Sequence, residues 1–363
     1  MKRIFIFFIL LVLLTRPCFA TEYVIDGDSG DDSFNTEDYM PKNVLDLLKN
    51  NGIETPEKVN GAFVIKLLFE HLAYGADKFS EITIELIGIA IIISIIKRIN
   101  DKSGGLLIFN LISCSVVCLT LLSEFSDICI KTNETLSSIS ELLGALLPSF
   151  VSVYMLGGEV MTSAASVTSF GAVLAILEIF LSGIITGMVS IMVVISVFER
   201  LSPSLNAFGI TKTVKKYAIM LISFVTTVML TVLSYQNIIS ARVDSMSSRT
   251  VRFAAANFIP IVGNAVGESL KTVSKGVSYL KASVGASSSL ALFLCVLPFI
   301  CELVILKLTL SFISVLFSVL GCEQEGAYIS TSVGFIDILL SIIICCSILS
   351  FLLIYLFTIV TVG

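Results

Sequence analysis

The chain has 363 residues, of which 56% are hydrophobic and only 14% charged, and its formal net charge is −5. Its mean hydropathy is +0.98. Soluble domains hold about a quarter charged residues, so a water-soluble globule is excluded, and the acidic balance argues against nucleic acid as a partner. Lipid offers an exposed backbone no hydrogen bonds, so only helices or closed barrels cross it. Barrel strands alternate apolar and polar residues, whereas Ile91–Ile96 reads IIISII. The expected class is therefore all-α: a polytopic helical membrane protein.

The N-terminus reads as a cleavable signal peptide over residues 1–20. Lys2 and Arg3 precede the apolar stretch Ile4–Leu14, and Cys18 and Ala20 supply small residues at −3 and −1 of a cleavage site. An uncleaved first anchor is the alternative. Residues 21–80 form an acidic leader and an extracytoplasmic helical region. Glu22, Asp26, Asp28, Asp31, Asp32, Glu37 and Asp38 open it without a Lys or Arg, and Val44, Leu45, Leu47 and Leu48, then Phe63, Leu67, Leu68 and Leu72, follow at helical spacing.

A first transmembrane bundle is expected over 81–240. A span needs about 20 mostly apolar residues. Spans are read near 82–96 and 104–122, and Lys97, Arg98 and Lys102 place the loop between them inside the cell. An outer loop would carry Glu124, Asp127, Glu134 and Glu141. Arg200, Lys212, Lys215 and Lys216 mark 199–216 as cytoplasmic, so an odd number of crossings separates 143 from 199. Three tight spans (143–157, 161–181 and 183–198) or one long span satisfy that count. A further span at 217–239 leads outside again.

The segment 241–286 is the most distinctive. Val262, Val266, Leu270, Val273, Val277, Leu280 and Val284 form one apolar stripe, with Glu268, Lys271, Lys275 and Lys281 off it and Pro260 opening the helix. Two readings stand: a helix packed on this chain's own spans, or one that binds a partner through Val266, Leu270, Val273 and Val277 with Lys271 and Lys275 beside them. Gly183 and Gly187, and Gly263 and Gly267, form GxxxG pairs that admit close helix packing. The C-terminal bundle, 287–363, reads as spans near 287–306, 308–320 and 334–362, the short middle piece being a candidate re-entrant segment.

Residues with catalytic chemistry are sparse. His71 is the single histidine, and no P-loop, GxSxG or GxGxxG occurs, so neither an enzyme nor a cofactor or metal site is expected. Among the nine cysteines, Cys129 and Cys322 fall in expected loops and are the one candidate exposed pair; the others of the mature chain lie in apolar runs. Glu85, Glu178, Glu302 and Asp337 fall in or near spans, and an acid at the bilayer centre suggests function. Glu178 is the deepest and is expected to face the bundle interior. Lys307 lies five positions from Glu302, off the preferred pairing distance on a helix.

Three stretches carry a resemblance: Gly144-Ala145-Leu146-Leu147-Pro148, Arg249-Thr250-Val251-Arg252-Phe253, and Asn257-Phe258-Ile259-Pro260-Ile261-Val262-Gly263. With the amphipathic helix after them and the Pro298 span, the chain resembles the stage III sporulation protein AE family of endospore-forming bacteria. The resemblance implies a mother-cell membrane subunit of the channel-like complex linking mother cell and forespore, needed for late forespore gene expression. It implies as partners the other subunits of that complex; the apolar runs imply the lipid bilayer, and the GxxxG pairs leave open either packing within the chain or a homo-oligomer. The competing reading is a secondary transporter, proton- or cation-coupled, with Glu178 as its intramembrane acid.

Overall fold

The computed structural model describes residues 61–100, 106–180, 187, 210–258 and 263–359, with backbone alone for 251–258 and 263–274. Six helices fill it: α1 (Gly61–Asn100), α2 (Leu106–Leu156), α3 (Val160–Ile179), α4 (Ile210–Phe258), α5 (Gly263–Val319) and α6 (Glu323–Ile359). No strand occurs among the described residues. All six contain a stretch long and apolar enough to cross a membrane. The signal peptide, the acidic leader, the expected span at 183–198 and Gly183 lie outside the described residues.

The helices are longer than the sequence pattern suggests. Residues 123–142, expected as a loop, lie inside α2, which runs unbroken for 51 residues, about 77 Å at 1.5 Å per residue. The physical reason is a buried stripe: Ile128, Thr132, Leu136, Ile139 and Leu143 all face inward at helical spacing. The hydroxyls of this stretch bond within the helix, since Thr132, Thr135 and Ser138 each donate to the carbonyl four residues back. Pro148 sits within α2 and Pro298 within α5, and neither ends its helix. The expected separate spans at 287–306 and 308–320 are one continuous rod with the helix before them; no re-entrant piece is present there.

Two glycine turns reverse the chain. Gly158 (φ 74°) and Gly321 (φ 83°) adopt the left-handed conformation that side chains disfavour. At the first, the Glu159 N–H donates to the Tyr154 carbonyl and Gly158 to Met155, both at 3.0 Å. At the second, Cys322 donates to Phe317 (2.9 Å) and Gly321 to Ser318 (3.2 Å). Both are Schellman stops, which use the orphan carbonyls of a helix end.

α5 and α6 form the central hairpin. Inside the fold lies 72% of the α5 span and 67% of α6, against 22% for α4 at the rim. Small residues let the two rods approach closely. Ser314 Oγ donates to the Gly326 carbonyl at 2.8 Å, and a Cβ on Gly326 would lie 2.9 Å from the Ser314 carbonyl oxygen. Gly285 meets Thr358 in the same way at the far end, and Gly75 of α1 meets Ile305. An aromatic stack of Phe150 on Phe357 (3.8 Å between centroids), with Phe170 and Tyr154 edge-on, joins α2, α3 and α6.

Helices consecutive in the chain alternate in direction. Ser94 of α1 donates to Leu320 at one end of α5, whereas Thr358 of α6 lies against Gly285 at the other. α4 runs antiparallel to α3, with Asn237 Nδ2 donating to Ser169 Oγ at 3.2 Å and Asp244 at the start of α3. Replacing Gly326 by Val is expected to cost about 1–3 kcal/mol, because the obstructing atom is backbone. Thermal unfolding in detergent, followed by circular dichroism, checks this; an unchanged midpoint would contradict the close packing.

Candidate functional site

Charged side chains in apolar rods must find partners or face water. Among the described residues four clusters do so between helices. Lys97 of α1 donates to Glu325 Oε2 of α6 at 2.8 Å, and Ser113 of α2 donates to the other oxygen. Lys131 of α2 donates to Glu302 of α5 at 2.6 Å. Lys215 of α4 and Lys307 of α5 both donate to Asp337 of α6.

The fourth cluster is the most buried. Lys281 of α5 donates to both oxygens of Glu159, at 2.5 and 2.6 Å, and the two side chains are 1% and 2% exposed. Its ammonium also stands 4.9 Å from the centre of the Tyr154 ring, a cation–π contact strengthened by the lack of water. Beside them Asp244 of α4 accepts from the backbone N–H groups of Met161 (3.1 Å) and Thr162 (2.6 Å). A carboxylate here complements the positive end of α3 and two of its unpaired donors. The Gly157–Gly158 turn makes this possible, since a Cβ on Gly157 would press on Val277 at 3.1 Å. Burial pushes the Glu159 carboxyl above its ordinary range; the Lys281 ammonium opposes this and Asp244 adds to it.

The sequence-derived candidates fare unevenly. Val277 is buried, as are Leu280 and Val284, so this part of the amphipathic stripe packs on the chain's own helices. Lys281, which falls off the apolar stripe, is among the largest fully buried side chains, its head on Glu159. Lys275 is exposed. Val266, Leu270, Lys271 and Val273 lie on α5, but their side chains fall outside the described residues, as do the surroundings of Gly263 and Gly267. A Cβ on Gly187 would meet nothing within 4 Å; the close approaches are made by Gly75, Gly285 and Gly326. Glu178 is exposed on α3 rather than facing the interior.

Glu302 pairs with Lys131, and Lys307 turns to Asp337, so the five-residue spacing between Glu302 and Lys307 carries no pair. Cys129 and Cys322 are buried, at 6% and 0% exposure, not an exposed pair. Burial raises the Cys322 thiol above its usual range, against the pull of Lys97, which keeps it protonated and unreactive. His71 is half-buried on α1. Among the described residues no group of three His, Cys, Asp or Glu is placed to hold a metal.

Removing one partner of a buried pair leaves an uncompensated charge and costs about 3–5 kcal/mol. Lys281→Met alone is expected to lose that much stability, and Lys281→Met with Glu159→Gln to recover much of it. Unfolding midpoints of both singles and the double in detergent check the coupling; additive losses would refute it.

Comparison with known proteins bears on the whole bundle. The family model described as stage III sporulation protein AE matches residues 41–361. A stage III sporulation protein AE from Bacillus subtilis (strain 168) is 21% identical over 260 residues, covering 70% of this chain and 63% of that protein. The alignment thus spans less than two thirds of its relative's length. No solved structure matches the chain. With a match that encloses all six helices, the chain belongs to the stage III sporulation protein AE family.

Proposed function

We propose that the protein is a structural subunit of the channel-like complex that links mother cell and forespore, sitting in the mother-cell membrane and supporting late forespore gene expression without catalysis of its own. The observation that carries this reading is the family match across residues 41–361. The use of charge in the fold supports it. Of the four acids the sequence places in or near spans, Glu302 and Asp337 are spent on lysines of neighbouring helices, as a rigid scaffold uses them, and Glu85, like Glu178, is exposed. The transporter reading rested on Glu178, which lies on the outer face of α3.

The alternation of the helices suggests an orientation. Lys97 and Arg98 close α1, and Lys212, Lys215 and Lys216 open α4; both ends face the cytoplasm under the positive-inside rule. The mature N-terminus is then extracytoplasmic. The turn at 157–159, the end of α4 and the start of α5 face the space between the two membranes, and the end of α1 and the turn at 320–322 face the mother-cell cytoplasm. The first turns of α5 would thus be presented to partner subunits through Val266, Leu270 and Val273, with Lys271 and Lys275 alongside. Self-association belongs to the same proposal.

Ser247→Cys and Lys275→Cys are expected to react with an impermeant thiol reagent on intact cells, and Ser204→Cys only after permeabilisation; the reverse pattern would invert the orientation. In sporulating cells, deletion of the chromosomal copy is expected to abolish a late forespore reporter after engulfment. Replacing Val266, Leu270 and Val273 with Asp should do the same while the protein still inserts. Full reporter output in the deletion would overturn the function, and full output in the triple variant alone would overturn the contact surface.

A further inference from the structure

Three of the four interhelical clusters hold no more lysines than carboxylates. The fourth does not balance: Lys215 and Lys307 share the single carboxylate of Asp337. The two nitrogens bind different oxygens of that group, so two positive charges stand within roughly 7 Å of each other with one negative charge between them. An ammonium has three N–H donors, and each lysine gives one to Asp337. Among the described residues neither ammonium has another acceptor, which leaves four N–H groups and a net charge of +1.

The group is open to a ligand. The lysine side chains are 31% and 28% exposed, unlike Lys281 at 1%. Gly334, one turn before Asp337, makes room for the Lys215 side chain itself: a Cβ there would lie 3.1 Å from Lys215 Cδ and 3.5 Å from its Nζ. Lys212 and Lys216 are exposed on the same first turns of α4, so the surrounding potential is positive as well. Two converging ammoniums with free donors suit an oxyanion whose several oxygens can each accept.

We propose that Lys215 and Lys307, held by Asp337, form a binding site for a phosphate oxyanion. The site lies on three apolar helices, so the phosphodiester of an anionic lipid and free inorganic phosphate are the two sources of that chemistry.

The test uses the full-length protein in detergent. Native mass spectrometry counts phosphatidylglycerol retained per chain against phosphatidylcholine, and calorimetry titrates inorganic phosphate. The wild type is expected to retain one phosphatidylglycerol in preference to phosphatidylcholine, or to bind phosphate saturably; the first result names lipid as the source and the second the soluble ion. Lys307→Gln and Lys215→Gln should each weaken binding about tenfold, and Lys307→Arg should keep it. Lys212→Gln should leave the stoichiometry unchanged. Asp337→Asn is the sharpest arm, because removing the one negative charge should tighten anion binding, whereas a purely structural triad would show no gain. Wild-type protein that prefers neither probe, or a Lys307→Gln variant of wild-type helix content that binds as tightly as the parent, would overturn the proposal.

Discussion

A lysine or carboxylate placed at the centre of an apolar helix costs roughly 2.5–3.5 kcal/mol on insertion scales, and lipid gives it nothing in return. What relieves that cost here is an opposite charge on another rod. The pairs are arranged so that five of the six helices are tied by at least one such contact: α1 to α6 through Lys97, α2 to α5 through Lys131, α4 to α6 through Lys215, and α5 to α6 through Lys307. α3 is held at its first turn by Asp244. Apolar packing between helices in a membrane lacks the hydrophobic drive it has in water. The charges therefore supply register as well as attachment, because a rod slipped by one turn would separate each ammonium from its carboxylate.

The other polar groups follow a different rule. Serine and threonine hydroxyls on the buried faces mostly bond within their own helix, as Ser288 does to Val284, Ser347 to Ile343 and Ser350 to Cys346. Such groups make no demand on a neighbour and occupy little room. They, with Gly285 and Gly326, allow the α5–α6 hairpin to pack nearly backbone to backbone. Among the described residues most hydroxyls are thus satisfied locally, with Ser94, Ser113 and Ser314 reaching another helix, whereas the buried charges are satisfied across the bundle.

That division also explains what could be read in advance. The all-helical class was legible because IIISII and similar runs admit no other solution in lipid, and the family was legible from Asn257–Gly263 and its neighbours. The extent of α2 was not, because Ser, Thr, Asn and Glu between 123 and 142 look like a loop when counted by composition; the period of Ile128, Thr132, Leu136, Ile139 and Leu143 held the signal. The partners of Glu302 and Asp337 could not be found from spacing on one helix, since that of Glu302 lies 171 positions away and those of Asp337 lie 122 and 30 positions away, on other helices. The burial of Lys281 was hidden for a related reason: an apolar stripe reports one helix's own face, and the acceptor of Lys281 sits in a turn of a different hairpin.

The placement of α6 sets the timetable of biogenesis. Glu325 and Asp337 are the acceptors for lysines that leave the ribosome long before them, Lys97 by 228 positions and Lys215 by 122. During translation those cations must wait at a headgroup or in the insertion machinery with no acid yet made for them. The cations of α1 and α4 therefore lack these acceptors until the α5–α6 hairpin emerges, and α6 acts as the key that locks rods inserted before it.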